Sequence, residues 1–234
     1  MTYCASIQRH NGGNQDDSGV RNLELKVRCP SEETFDALIA RARAAGAVYV
    51  RTMGQRDAYF RVPHGRLKLR QWWLDGDQAQ GAERVVARPS EQWGHQGSGT
   101  GVRNHMREDG DVGPAGAVLI AYARPDDAGS RFSDYLLSPV AEPATLRAVL
   151  AHALGERVVV EKRRVFYRYG QTRIHFDQVA TLGAFVELET VLDEDTEAAA
   201  IGEHRVVIDL LGLDRFPVVA ASYSDLREGK DDRI

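Results

Sequence analysis

Residues 22–28 read NLELKVR, in which apolar side chains alternate with polar or charged ones. Strict alternation is typical of a β-strand that has one buried face. The other face would carry a carboxylate followed by two cations, at Glu24, Lys26 and Arg28. Solvent is the simplest destination for such charges, and a charged ligand is the functional alternative.

The same alternation recurs far along the chain, in RLKLR (66–70), TRIHFD (172–177) and FVELE (185–189), and LIAYAR (119–124) ends in a cation. It is less clean in VVEKRR (159–164), where Lys162 and Arg164 share one side but Glu161 and Arg163 occupy the other. A solvated sheet usually intersperses charges of both signs. Arg66, Lys68 and Arg70 would instead repel one another along one strand face. This row of like charges favours a bound anion over solvent alone.

Together these faces predict strands that curl around an enclosed, charged channel. Enclosed charges need counter-charges, so a surplus of arginine and lysine would be neutralised by a polyanion. Carboxylates such as Glu24, Glu187 and Glu189 would hold divalent cations through hard oxygen ligands. The combination predicts a site for a metal-bound polyphosphate.

The elements that must position these residues are mostly strands, predicted at 22–28, 48–53, 58–62, 66–72, 117–124, 157–170, 172–179 and 183–192. Three amphipathic helices are predicted near 31–46, 142–155 and 195–211. Their inward stripes contain Phe35, Leu38, Ile39 and Ala42, then Leu146, Val149, Leu150 and Leu154, then Ile201, Ile208 and Leu211. Ser31 is the predicted N-cap of the first helix, and Gly46 its stop. Adjacent hairpins with few helices between them predict an α+β fold with an antiparallel sheet.

Composition narrows the classes of function. The net charge of −4 and the sequence pI of about 6.0 argue against a nucleic-acid partner. The charged strand faces also lack the stacking aromatics of a nucleic-acid-binding sheet. No apolar run approaches the roughly 18 residues of a membrane span, and no secretory signal pattern opens the chain. With Cys4 and Cys29 interpreted as free thiols, we expect a cytoplasmic protein without a membrane partner.

Three segments fall outside the predicted domain core. Residues 1–20 are polar and are predicted to be a disordered tail. Residues 75–117 hold nine of the 22 glycines and are predicted to be an insertion, either flexible or an ordered lid. Residues 229–234 form the predicted C-terminal tail.

The motif NLELK resembles the E-x-E-x-K signature of the CYTH, or triphosphate tunnel metalloenzyme, superfamily. The resemblance continues in the same order through GRLKLR (65–70), LIAYARPD (119–126), VEKRR (160–164), RIHFDQV (173–179), LGAFVELE (182–189) and SYSDL (222–226). It covers residues 21–228 apart from the insertion. A single E-x-E-x-K motif is weak evidence for this superfamily, whereas the whole series of motifs in the same order is specific evidence. Class IV adenylyl cyclases and their bacterial relatives are the most similar branch.

The resemblance implies a closed, eight-stranded antiparallel β-barrel with amphipathic helices packed outside it. It also implies a triphosphate-bearing small molecule such as ATP as the partner, Mg²⁺ or Mn²⁺ as the cofactor, and a possible homodimer. The implied metal ligands are Glu24, Glu187, Glu189 and Asp177. The implied phosphate-binding residues are Lys26, Arg28, Lys68, Arg70, Arg124, Lys162, Arg164 and Arg173. Lys26 and Glu24 are the implied catalytic residues.

One position departs from the signature, because Asn22 stands where the first glutamate is expected. A neutral amide oxygen holds a cation less tightly than a carboxylate does. The resemblance therefore implies that one of two metal sites is weaker, which bears on catalysis more than on polyanion binding.

Three functions follow from the resemblance. A class IV adenylyl cyclase-like enzyme would convert ATP to cyclic AMP and pyrophosphate. A phosphohydrolase would act on tripolyphosphate, thiamine triphosphate or a nucleoside triphosphate, and a binding module would hold the same ligands without turnover. The general base is open between Lys26 and water activated by the metal.

Several further residues have a structural and a functional interpretation. Trp72 and Trp73 are interpreted as packing residues, with stacking on a base as the alternative. His175 is interpreted as a satisfied core histidine rather than a ligand. Tyr122 could contact substrate or pack, and Tyr223 is predicted to close a packed end of the sheet.

Overall fold

The computed structural model describes residues 21–75, 115–123, 134–192 and 197–229. The strands in these ranges are β1 (Arg21–Arg28), β2 (Val48–Phe60), β3 (Arg66–Leu74), β4 (Ala115–Ala123), β5 (Asp134–Pro139), β6 (Glu156–Tyr169), β7 (Thr172–Val179) and β8 (Gly183–Leu192). The helices are α1 (Glu32–Ala44), α2 (Pro143–Leu154), α3 (Glu197–Leu211) and α4 (Tyr223–Arg227), with a 3-10 helix at Leu213–Arg215. The predicted N-terminal tail and nearly all of the predicted insertion lie outside the described residues.

The strands form one sheet in the order β1-β8-β7-β6-β2-β3-β4-β5. The pairings β1–β8, β7–β8, β2–β3 and β3–β4 are all antiparallel, so the predicted α+β class with an antiparallel sheet is confirmed. Closure into a barrel is not confirmed, because within the described residues the sheet begins at β1 and ends at β5 without closing.

Two strand predictions were wrong. The segments 48–53 and 58–62 form one continuous strand, β2, rather than two. Strand β5 was not predicted, since its sequence DYLLSP shows no clean alternation and ends in proline.

The chain divides into two compact units. The first contains Met1–Arg51, Arg124–Asp134 and Arg164–Ile234, and the second contains Thr52–Ala123 and Tyr135–Arg163. The proposed limits of a single domain at residues 21 and 228 stay a prediction.

In the first unit, helices α1 and α3 cover the apolar faces of β1, β7 and β8. The buried side chains of this core include Leu25, Val27, Phe35, Leu38, Ile174, Phe176, Val186, Leu188, Ile208 and Leu211. The Ser31 hydroxyl accepts a hydrogen bond from the Thr34 N–H at 3.2 Å, which confirms the predicted N-cap. Gly46 follows the helix with a φ of +89°, a left-handed conformation that favours glycine. The prediction for Ile201 was wrong, because this side chain is 45% exposed.

In the second unit, helix α2 packs on the apolar faces of β2, β3 and β4. Ala58, Phe60, Leu69 and Ala117 are buried there, and Leu146, Leu150 and Leu154 of the helix pack against them. Val149 was predicted to face inward but is 57% exposed. Each unit therefore buries the apolar face of its strands under helices.

The outer edge of β1 is covered by a later segment of the first unit. The Arg28 N–H donates to the Pro217 carbonyl at 3.2 Å, and the Val219 N–H donates to the Lys26 carbonyl at 2.8 Å. An isolated antiparallel bridge joins Val27 to Val218. The backbone groups of this end strand are thus partly satisfied on the side away from β8.

Two predictions about the chain as a whole can also be compared with the structure. Among the described residues, no helix has both the length and the apolar composition that crossing a membrane requires. Cys29 is a buried free thiol, and burial raises its pKa to about 11. Such a thiol is a weak nucleophile at neutral pH.

Truncation of Leu211 tests the core of the first unit. Leu211→Ala should lower the free energy of unfolding by about 2–5 kcal/mol, because it leaves a cavity under α3. Leu210→Ala is the matched control, since Leu210 is 40% exposed and Leu211 only 1%. Urea unfolding followed by circular dichroism would measure both. Equal losses in the two variants would contradict the assigned core.

Candidate functional site

A buried carboxylate, Asp57, organises the charged face of the second unit. Arg70 binds it in bidentate fashion, with Nε 2.9 Å from Oδ1 and one terminal nitrogen 2.9 Å from Oδ2. Lys68 Nζ lies 3.2 Å from Oδ2, and the Gln55 amide donates to Oδ1 at 3.0 Å. Lys162 of β6 adds a further electrostatic attraction. We call these five residues the Asp57 cluster.

Electrostatics fixes the protonation state of Asp57. Burial alone would raise the pKa of this carboxyl group, but Arg70 and Lys68 outweigh burial and hold the pKa well below its ordinary value. Asp57 is therefore ionised at any physiological pH.

Positive charge exceeds negative charge within the Asp57 cluster. Lys68 and Lys162 are each only 9% exposed, and Arg70 shares the same carboxylate with them. Three cations thus surround one anion in a setting where each charge is costly without compensation. Such a gathering of cations suits a polyanion as ligand.

The cations of this cluster were predicted from sequence, but Asp57 and Gln55 were missed. The sequence interpretation interrupted the strand at residues 54–57, which removed both residues from any strand face. A signal was available, since Gln55, Asp57 and Tyr59 alternate along β2 and lie opposite Trp72, Arg70 and Lys68 of β3.

In the first unit a second buried carboxylate, Asp177, binds Arg164 in bidentate fashion. The two contacts are 2.7 Å from Nε to Oδ1 and 2.6 Å from a terminal nitrogen to Oδ2. Arg164 also lies 2.6 Å from Glu187, whose other oxygen is 3.2 Å from Lys26 Nζ. With Tyr223, these residues form what we call the Asp177 cluster. Four of the predicted site residues are thus brought together.

Tyr223 has a polar role that its predicted packing role did not include. Its hydroxyl donates to Asp177 Oδ2 at 3.1 Å, and Lys26 Nζ lies 4.4 Å from its ring centroid. Burial, reinforced by Asp177 and Glu187, raises the pKa of Tyr223 well above its ordinary value. Tyr223 therefore stays a neutral hydrogen-bond donor.

Arg164 is permanently charged at the centre of this network. Burial alone would lower the pKa of Arg164, but Asp177 and Glu187 raise it well above its ordinary value. Lys26 Nζ is also fixed by the Ala221 carbonyl, at 3.1 Å. Lys26 and Arg164 are thus both held against Glu187.

The register of β1 and β8 brings two further predicted carboxylates together. Glu24 lies directly opposite Glu189, and Lys26 lies opposite Glu187. Arg173 contacts Glu189 at 3.1 Å. Two like charges opposite each other repel unless a cation lies nearby. Arg173 supplies one at Glu189, and a divalent metal ion is a second candidate cation. Within the described ranges, however, no group of three or more His, Cys, Asp or Glu side chains is arranged for a metal ion.

The remaining predicted residues have other surroundings. Arg28 donates to the Leu182 carbonyl at 2.7 Å and lies over the Phe185 ring at 4.6 Å. His175 is buried and meets Phe166 edge to face, with ring centroids 5.1 Å apart, as expected for a core histidine. Arg124 lies outside the described residues.

Comparison with known proteins identifies the family. The CYTH domain model matches residues 105–223, slightly more than half of the chain, and the chain belongs to this family. No curated protein matches the sequence.

Solved structures share the fold at low identity. The PH1012 protein of Pyrococcus horikoshii OT3 is 16% identical, with a TM-score of 0.59 over 88% of this chain and 99% of its own. The PH1819 protein of the same organism is 18% identical, with a TM-score of 0.59 over 90% and 100%. A candidate adenylate cyclase from Vibrio parahaemolyticus is 13% identical, with a TM-score of 0.50 over 88% and 97%. At these identities the likeness establishes the fold alone.

Replacement of the buried carboxylate tests the Asp57 cluster. Asp57→Asn should lower the free energy of unfolding at pH 7 by about 3–5 kcal/mol, because it leaves buried cations uncompensated. A carboxyl group with a lowered pKa stabilises the fold above its unfolded pKa of about 3.9, and this stabilisation is lost as the pH falls. The difference between wild type and variant should therefore narrow between about pH 5 and pH 2.

Urea unfolding across this pH range is the measurement, and Asp75→Asn is the matched control. Asp75 pairs with Arg163 at 2.8 Å, but both side chains are about half exposed. The control substitution should lower the free energy of unfolding by less than about 1 kcal/mol. A stability difference for Asp57→Asn that stayed constant with pH would contradict the assigned ion pairing.

Proposed function

We propose that this chain binds a triphosphate through its strand-borne cations and acts as a metal-dependent phosphoryl-transfer enzyme. The activity that we propose is that of a class IV adenylyl cyclase, which converts ATP to cyclic AMP and pyrophosphate. The observation that carries the proposal is the gathering of three cations, Lys68, Arg70 and Lys162, around the buried carboxylate of Asp57. Membership of the CYTH domain family supports it.

The Asp57 cluster offers two kinds of phosphate contact. Asp57 fixes the plane of the Arg70 guanidinium, and a fixed guanidinium suits bidentate contacts to phosphate oxygens. Lys68 and Lys162 act as buried point charges. Because phosphoryl transfer needs charge neutralisation and positioning above all, such an array supplies much of what the chemistry requires.

We propose Mg²⁺ or Mn²⁺ as the cofactor, held by carboxylates of the first unit. Glu24 and Glu189 would hold the ion, with Glu187 and Asp177 as the other predicted ligands. When bound, the metal ion supplies charge neutralisation at phosphate oxygens. Arg173 orients Glu189, and Lys26 is held by Glu187 and the Ala221 carbonyl.

In the proposed reaction, the ribose 3′ oxygen attacks the α-phosphorus, a new P–O bond forms and the bond to the β-phosphate oxygen breaks. Pyrophosphate leaves, and the proton of the 3′ hydroxyl passes to a base. Lys26 as this base stays a prediction. Attack by water on the γ-phosphorus would use the same cations, so product identity separates the two reactions.

Loss of one buried lysine tests ligand binding. Lys162→Gln should weaken tripolyphosphate binding by roughly tenfold or more, because a charge-assisted contact disappears. Isothermal titration calorimetry without metal would measure the affinity. Arg163→Gln is the matched control, since the next residue points to the other face and pairs with the exposed Asp75. If both variants weakened tripolyphosphate binding equally, the loss would reflect the change in net charge and not a specific contact of Lys162.

Product analysis tests the reaction itself. Purified protein with ATP and Mg²⁺ or Mn²⁺ should yield cyclic AMP and pyrophosphate in equal amounts, quantified by mass spectrometry and a pyrophosphate assay. Glu189→Gln should raise the metal concentration needed for half-maximal activity by about tenfold or more. Glu161→Gln is the control, because Glu161 forms an exposed pair with Arg56.

Orthophosphate without cyclic AMP would replace the cyclase with a phosphohydrolase. If the protein bound tripolyphosphate tightly but formed no product with either metal ion, it would be a binding module and not an enzyme.

A further inference from the structure

A tryptophan continues the row of cations on the charged face of β3. Lys68, Arg70 and Trp72 alternate along the strand and therefore share one face. Their partners on β2 are Tyr59, Asp57 and Gln55, and their partners on β4 are Ile120, Val118 and Gly116. Trp72 thus stands one row beyond the guanidinium that Asp57 fixes, at a distance of about 7 Å along the strand.

The β4 residue opposite Trp72 is a glycine with a clear steric role. A Cβ atom on Gly116 would lie 2.3 Å from the Trp72 ring, which real Cβ atoms essentially never show. The indole therefore rests directly on the β4 backbone, in space that a side chain at residue 116 would fill. Trp72 remains partly accessible.

Trp73 provides an internal comparison. It lies against Gly54 of β2, where a Cβ atom would be 2.1 Å from the indole. Because successive strand residues point to opposite faces, Trp73 lies on the face opposite the cations. The chain thus has two neighbouring tryptophans with the same glycine packing, and only Trp72 shares a face with the cations.

We infer that Trp72 is the surface on which the aromatic base of a nucleoside triphosphate stacks while its phosphates occupy the Asp57 cluster. This inference rests on the proposed triphosphate site and names the class of its organic group. A flat indole next to fixed cations matches a ligand in which a planar base is joined to a polyanion through a sugar. Stacking on an aromatic side chain is favourable for every base, so Trp72 selects base-bearing triphosphates over inorganic ones.

The experiment compares ATP with inorganic tripolyphosphate by isothermal titration calorimetry in the same Mg²⁺ buffer. Trp72→Leu should weaken ATP binding by about tenfold or more and leave tripolyphosphate binding within about twofold. Trp72→Phe keeps an aromatic face and should restore most of the ATP affinity. Trp73→Leu should leave the ratio of the two affinities unchanged.

A second variant moves the indole without removing it. Gly116→Ala should displace Trp72 and produce the same selective loss of ATP affinity. Parallel losses for ATP and tripolyphosphate in Trp72→Leu would indicate a structural role and overturn the inference, as would no loss for either. Wild-type protein that binds tripolyphosphate but not ATP would overturn the inference and leave the triphosphate site standing. Wild-type protein that binds neither ligand would overturn both proposals.

Discussion

Buried charge must be compensated close to where it lies, and both charged faces of this protein are organised by that requirement. On each face one arginine donates two hydrogen bonds to one deeply buried aspartate: Arg70 to Asp57, and Arg164 to Asp177. Each pair fixes the orientation of a guanidinium that would otherwise sample many rotamers. The neighbouring lysines and glutamates then take their positions from these two pairs. Helices on the opposite faces allow this arrangement, because they bury the alternating leucines and valines.

The two charged faces differ in their balance of charge, and this difference gives them different chemical uses. The face of β1, β7 and β8 carries about as many carboxylates as cations, and Lys26, Arg164 and Arg173 lie against its carboxylates. The face of β2 and β3 carries three cations around Asp57 and is suited to an anion.

Alternation in the sequence predicted the charged faces well, because side chains alternate between the two faces of any strand. It predicted Lys26, Arg164, Glu187 and Asp177, which the structure brings into one network. It failed at Asp57, where Gly54 and the mixed pattern of β2 concealed a continuous strand. The expected total of eight strands was right for a wrong reason, since one strand was split and β5 was missed. Helical spacing alone also misplaced Val149 and Ile201, because which stripe is buried depends on tertiary packing.

The segment that covers the outer edge of β1 has a consequence for how the chain behaves in a crowded solution. β1 is the end strand of the sheet, and its Lys26 carbonyl and Arg28 N–H bond to residues 219 and 217. An uncovered end strand is a template on which another chain can add a strand. The segment around Val218 therefore prevents another chain from pairing with this edge of the sheet. Truncation of the chain before residue 217 would expose β1, the strand that carries Glu24 and Lys26. Self-association through this exposed edge would then compete with ligand binding.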